Sequence, residues 1–263
     1  MIPDAYVWLY AGVVGAIVGS FLNVCIYRLP AEKSVITPRS ACGACDTPIR
    51  WRDNIPVISW LLLRGRCRDC GAPISVQYPL VELAIALIWT AAALRFGVSI
   101  EGLHSAVLLT LLLGIAMTDA REMVIPDQFT LIGAALGLIF ASFPGGIRLL
   151  DAFIGGLSAY LLLWAVKFGA EKLLKKPALG TGDIHMMAMV GAFLGPGGAM
   201  LTILLGSVFG LVIGVPIQAI RGRLSPFATY LPLGTFLALG AAIAHVWGDP
   251  ILGWYLGTVL GAP

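Results

Sequence analysis

The chain is predicted to be an all-α polytopic membrane protein with about eight transmembrane helices and one small polar insert. Three observations carry this. Hydrophobic residues make up 59% of the 263 and charged ones only 12%, where a soluble domain carries roughly 25% charged residues. Apolar runs recur at lengths suited to a bilayer, which takes roughly 20 helical residues to cross. Four of the five cysteines are confined to the one long polar segment.

The first run, YVWLYAGVVGAIVGSFLNVCIY (6–27), has nothing basic before it and Arg28 after it, so it reads as a retained helix with its N-terminus outside rather than a signal peptide. Further runs lie near 79–96, 102–118, 128–143, 150–168, 184–194, 198–217 and 231–247. In this topology all of the 17 basic residues except Arg95 and Arg148 face the cytoplasm, Arg221 and Arg223 among them, as the positive-inside rule asks. The net charge of +3 is too small to suggest a nucleic-acid partner, and membrane side accounts for where the charges fall. The tail 248–263 is short and broken, and reads either as an outer-interface segment or as a partial helix. The expected organisation is a first membrane helix (1–28), a cytoplasmic insert (29–78) and a membrane-embedded core (79–263).

The insert contains CGAC (Cys42, Cys45) and CRDC (Cys67, Cys70), with 21 residues between the pairs. Two such knuckles suit a tetrahedral zinc ion, each presenting two thiolates at about 2.3 Å. Two disulfides are the alternative, but the insert's basic residues place it in the reducing cytoplasm, where disulfides rarely persist. Four sulfurs leave no open coordination position, so the zinc is expected to be structural, a staple for a segment too small to build a core. Cys25, inside the first helix, reads as a packed thiol.

Acids at the inner membrane face form the other informative set. In MTDAREMVIPDQFTL (117–131), Asp119 closes one helix and Asp127, after Pro126, opens the next, where a carboxylate caps free amides. Asp119 sits at a helix C-terminus, where the dipole disfavours negative charge; an interfacial charge satisfied by Arg121 or water is one reading, chemistry the other. Asp183, in GTGD (180–183), opens a short run at a helix N-terminus, where a carboxylate is favoured and where an N-cap is its simplest role. Taken together, one acid favoured protonated and one ionised at the same boundary is the asymmetry of a water-activating aspartyl dyad. From Asp183 to Gly195 a helix rises only about 18 Å, so its mouth can lie sunken in a wet cavity. Asn23 and Glu82, at membrane depth, fit helix-packing hydrogen bonds as well as function.

These segments resemble the type IV prepilin peptidases, bifunctional leader peptidase and N-methyltransferase enzymes among the GxGD intramembrane aspartyl proteases. The motifs are GSFLNVCIYRLP (19–30), the paired CxxC, YPLVELAIAL (78–87), the acid segment ending IPD, and GTGD. The resemblance implies catalytic Asp119 and Asp183, a zinc-bound cytoplasmic insert, S-adenosylmethionine as methyl donor at residues that nothing in the sequence picks out, and a place in the bacterial inner membrane. It implies as substrates prepilins and pseudopilins with short basic leaders. Relatives commonly carry lysine two residues after the GxGD aspartate, where this chain has His185, read here as a polar interfacial side chain. On the helix-end argument Asp183 would deprotonate water and Asp119 would protonate the leaving amine. Two other classes compete: a transporter with acids at a broken helix, though the first half has no counterpart to GTGD, and a non-catalytic assembly subunit docking through its insert.

Overall fold

The computed structural model describes residues 4–220 and 231–258. Its helices are α1 (Asp4–Arg28), α2 (Ile58–Leu62), α3 (Gln77–Phe96), α4 (Ile100–Glu122), α5 (Asp127–Ala141), α6 (Leu149–Leu174), α7 (Thr181–Phe209), α8 (Val215–Ile220) and α9 (Leu233–Thr258). A π-helical turn, Gly210–Gly214, joins α7 to α8. Among the described residues six helical stretches are long and apolar enough to cross a membrane by length and composition: α1, α3, α4, α6, the stretch Thr181–Ile220, which a break divides, and α9; α5 is apolar but shorter. Helix continues through the tail to Thr258, which favours the helical alternative for it. Arg221, Arg223 and residues 259–263 lie outside the described residues.

All eight apolar runs fall on these helices, two of them on α7. The break between those two is Gly195, at φ 69° and ψ −177°, followed by Pro196 inside the element. Glycine alone holds that backbone without strain, and proline cannot donate to the preceding turn. The chain reverses there. Gly182 at the start of α7 lies against Ile125, and Ile125 against Gly234 at the start of α9. Gly197, just past the break, lies against Leu252 far along α9, and Gly206 has returned to Leu237.

The chain forms two compact units that divide within α4, after Thr110. In the first, α1 and α3 run antiparallel at close range. A Cβ on Gly15 would stand 2.8 Å from the Ile85 carbonyl oxygen, and one on Gly19 2.8 Å from the Glu82 Cα. Lipid tails are as apolar as leucine, so such contact between small residues, rather than expulsion from water, holds membrane helices together. Asn23 adds side-chain N–H donation to the Tyr78 carbonyl (3.1 Å), and buried Glu82 accepts the Val57 N–H at 2.7 Å. Glu82 therefore ties the insert to α3, and it does so at a valine held at φ 61°, a conformation unusual for a β-branched residue. The opposite face of α1 leaves Leu9, Ile17 and Phe21 more than half exposed, an arrangement suited to lipid.

In the second unit the first half of α7 is the centre. Met186, Met187, Met189, Val190 and Phe193 are fully buried. Gly155 of α6 and Gly191 of α7 pass backbone to backbone, so that a Cβ on either would collide with the other's carbonyl. On α5, Gly133 admits Met189 and Gly137 admits Phe193, whose ring lies 6.1 Å from that of Phe140. The second half packs on α9, where a Cβ on Gly240 would stand 2.8 Å from the Gly206 nitrogen, and Thr202 returns its hydroxyl to the Gly198 carbonyl (2.8 Å). A buried hydroxyl bonded to its own helix in this way is itself satisfied within an apolar core.

Candidate active site and metal centre

The four insert cysteines come together as the spacing predicts. Their sulfurs all lie within 4.8 Å of one another, and Cys42 and Cys70 are 3.8 Å apart. Four ligands at about 2.3 Å from one tetrahedral ion stand roughly 3.8 Å apart, so the donor set fits a thiolate-bound metal. The two halves are one motif used twice. Cys42 N–H donates to the Thr47 carbonyl and Cys67 N–H to that of Ala72, and isolated bridges close at Ala41–Pro48 and Arg66–Pro73. The residue after the second cysteine of each pair, Asp46 or Gly71, turns through positive φ. The Thr47 hydroxyl, followed by its N–H, holds the Cys45 thiol down at about 7, and the N–H groups of Cys70 and Asp69 lower that of Cys67. Both shifts favour the thiolate, the form that binds metal, while hydrogen bonds to the neighbouring thiols and burial push Cys70 up to about 12. Arg68 grips Asp53 through two nitrogens at 2.6–3.0 Å, bracing the second knuckle.

Asp119 and Asp183 both belong to the second unit, and both are buried, at 5% and 9% exposure. Ile125 lies between them: it packs on Gly182, next to Asp183, and on Gly234, which lies against Asp119. Asp119 lies near the end of α4, and its Oδ2 accepts the Thr235 N–H at 2.7 Å and the Thr235 hydroxyl at 3.0 Å. The donors are in the first turn of α9, whose unpaired amides suit a carboxylate. The helix-end penalty expected at Asp119 is thus offset by the start of another helix.

Asp183 is the third residue of α7 rather than its N-cap, which is Gly180. Its Oδ2 lies back against Gly180, the backward reach made by the acid of a capping box. Its Oδ1 is buried with no hydrogen-bond partner among the described residues.

Asp127 departs from its expected role. The N-cap of α5 is Pro126, with no side-chain capping bond. Asp127 Oδ1 instead lies 2.9 Å from His185 Nδ1, and the His185 ring stacks on Tyr160 of α6 with centroids 6.2 Å apart. His185 is therefore more than an interfacial side chain. As α5 starts at Asp127 itself, the carboxylate is free to reach across to α7. Cys25 is packed as expected, at 7% exposure.

Reading the sequence missed Thr235, Gly234 and Tyr160. Pro232 before an apolar run does mark a helix start in LPLGTF (231–236). Nothing local says that this start faces an acid 116 positions away.

Comparison with known proteins agrees with the motifs. Residues 13–96 match the family model for the bacterial peptidase A24 N-terminal domain, and 106–215 that for the type IV leader peptidase family. Proteins named prepilin leader peptidase/N-methyltransferase are similar across nearly the whole chain. That of Aeromonas hydrophila is 37% identical, covering 95% of this chain and 94% of its own. That of Pseudomonas putida is 38% identical, covering 94% and 93%. That of Pseudomonas aeruginosa is 36% identical, covering 97% and 94%. No solved structure matches. With both domain models matched in order and relatives aligned from end to end, the chain belongs to the type IV leader peptidase family.

Proposed function

We propose that the protein cleaves the leader peptide from type IV prepilins and pseudopilins and then N-methylates the new N-terminal residue. The observation that carries the reading is the placing of two buried carboxylates, one from each motif named by the resemblance, on turns that pack on the same residue, Ile125, with an orphaned oxygen on Asp183. A buried polar atom without a partner calls for a reason, and a place where a water or a scissile carbonyl binds supplies one.

Asp119 and Asp183 are the catalytic pair. One takes a proton from the attacking water while the other hydrogen-bonds the scissile carbonyl; the proton on the second then passes to the leaving amine. Thr235 on Asp119 removes the ground for a fixed assignment from helix ends, so the pair is best treated as sharing one proton, with a bell-shaped rate profile. S-adenosylmethionine would supply the methyl group. The metal of the cysteine cluster is structural zinc, because four sulfurs fill its coordination.

The positive-inside rule supports an inner-membrane topology with the N-terminus outside and with the insert and acids towards the cytoplasm, where basic leaders would await cleavage. The proposed functional layout is a first helix (1–28), a zinc-binding insert (29–78) and a catalytic core (79–263). A test is leader cleavage in membranes by the intact protein and by Asp119→Asn and Asp183→Asn. Each variant should lose on the order of a thousandfold in rate while remaining folded. Substantial cleavage by either would overturn the dyad.

A further inference from the structure

Asp119 reaches out of α4 to a shelf that neither family motif contains. The shelf is the first turn of α9, in which Thr235 presents its N–H at 2.7 Å and its hydroxyl at 3.0 Å to one carboxylate oxygen, Oδ2. Gly234 is part of the shelf. A Cβ at that position would stand 3.1 Å from both Cγ and Oδ2 of Asp119 and closer still to Ile125, so the acid can lie flat on the turn only over glycine. Both Thr235 donors go to Oδ2, so this turn leaves the other oxygen, Oδ1, unengaged. From this we infer that Thr235 is a positioning residue for leader cleavage: with Gly234 it fixes the rotamer of Asp119 so that Oδ1 faces Asp183 and the substrate.

A short carboxylate with two rotatable bonds is poorly fixed by its own helix alone. Two donors converging on one oxygen hold both its place and its tilt, as an acid that must share a proton with a partner requires. The hydroxyl can also turn to the Ala116 carbonyl at 3.2 Å, so Thr235 stitches the end of α4 to the start of α9 even when its proton points away from the acid. The α9 start is itself held from the other side. Phe236 and Leu231 pack over Gly214 in the π-helical turn, placing the shelf between a rigid acid and an irregular segment of the same unit.

The inference rests on Asp119 being catalytic, and the experiment separates the two. Intact protein in membranes would be assayed for cleavage of a prepilin and, separately, for methyl transfer from S-adenosylmethionine to a peptide supplied already cleaved. Thr235→Val removes the hydroxyl and keeps shape and N–H. It is expected to lower kcat for cleavage about tenfold, the usual effect of one hydrogen bond to a charged group, with KM and methyl transfer unchanged. Thr235→Ser should restore kcat to within about threefold, since it returns the donor. A merely structural role, including the stitch to Ala116, would lower both activities together. Full kcat in Thr235→Val, joint loss of both activities, or failure of serine to rescue overturns the inference. If Asp119→Asn itself keeps cleaving, it is the dyad reading that fails.

Discussion

His185 Nδ1 lies 2.9 Å from Asp127 Oδ1, so the first turn of α7, two residues from Asp183, is bonded to the first turn of α5. Tyr160 stacks beneath the imidazole and brings α6 to the same point. Three helices are thereby joined beside Asp183 without use of its carboxylate.

This contact predicts coupling. Asp127 is 60% exposed and His185 30%, so water screens the pair and its worth should be about 0.2–1 kcal/mol. His185→Ala, Asp127→Ala and the double variant, compared by cleavage rate, should show that interaction energy; additive effects would mean the contact does no energetic service. His185→Lys keeps a donor for Asp127 and should cleave within about threefold of the intact protein.

The Gly155–Gly191 crossing predicts a larger effect. A single methyl at Gly191 would meet the Gly155 carbonyl and force α6 from α7. Overpacking of this sort costs about 1–3 kcal/mol. Gly191→Ala should lower the midpoint of thermal unfolding in detergent and reduce cleavage, because the Asp183 turn rides on the same half-helix. Gly169→Ala, where a Cβ has open space, is the control and should be neutral or slightly stabilising.

Much of this architecture was legible. Hydropathy reports burial in lipid and needs no knowledge of partners, so every membrane run was readable, including the pair on either side of Gly195. The cysteine spacing specified its own cluster, because a knuckle is a local structure. What escaped was interhelical. Asp127 looked like a cap because a proline and an acid before an apolar run define a local start, yet its bond goes to His185, 58 positions on. Asp119 looked penalised by its own helix because the compensating turn of α9 is remote in sequence. Local electrostatics can be read along the chain; the helix end that answers it cannot.

Metal removal should act on the insert first. Structural zinc sites contribute folding energy directly, and this insert holds little apolar core, with Ile36, Trp51, Leu61 and Leu62 all largely exposed. Stripping the intact protein with a strong chelator, or Cys67→Ser, should open Arg50, Arg52 and Arg64 to trypsin while leaving the membrane helices protected. One zinc per chain is expected in the untreated protein by elemental analysis. An insert equally resistant with and without metal would remove the structural role.

The Asp53–Arg68 pair makes a pH-dependent prediction of stated sign. The Arg68 guanidinium, bonded to both carboxylate oxygens, holds the Asp53 carboxyl below the usual range. The folded state therefore binds this proton less tightly than the unfolded chain does. The pair's contribution is complete above the unfolded value of about 4 and is lost as pH falls through the lowered folded value. Arg68→Gln should weaken protection of the insert from proteolysis by a modest amount that stays constant from about pH 8 to 5 and vanishes as Asp53 protonates below about 4. The comparison must be made between the two proteins at each pH, because acid also protonates the metal's thiolates in both and weakens both inserts alike. A difference that persisted undiminished at about pH 2 would show that Arg68 acts through packing of its stem rather than through the charge on Asp53.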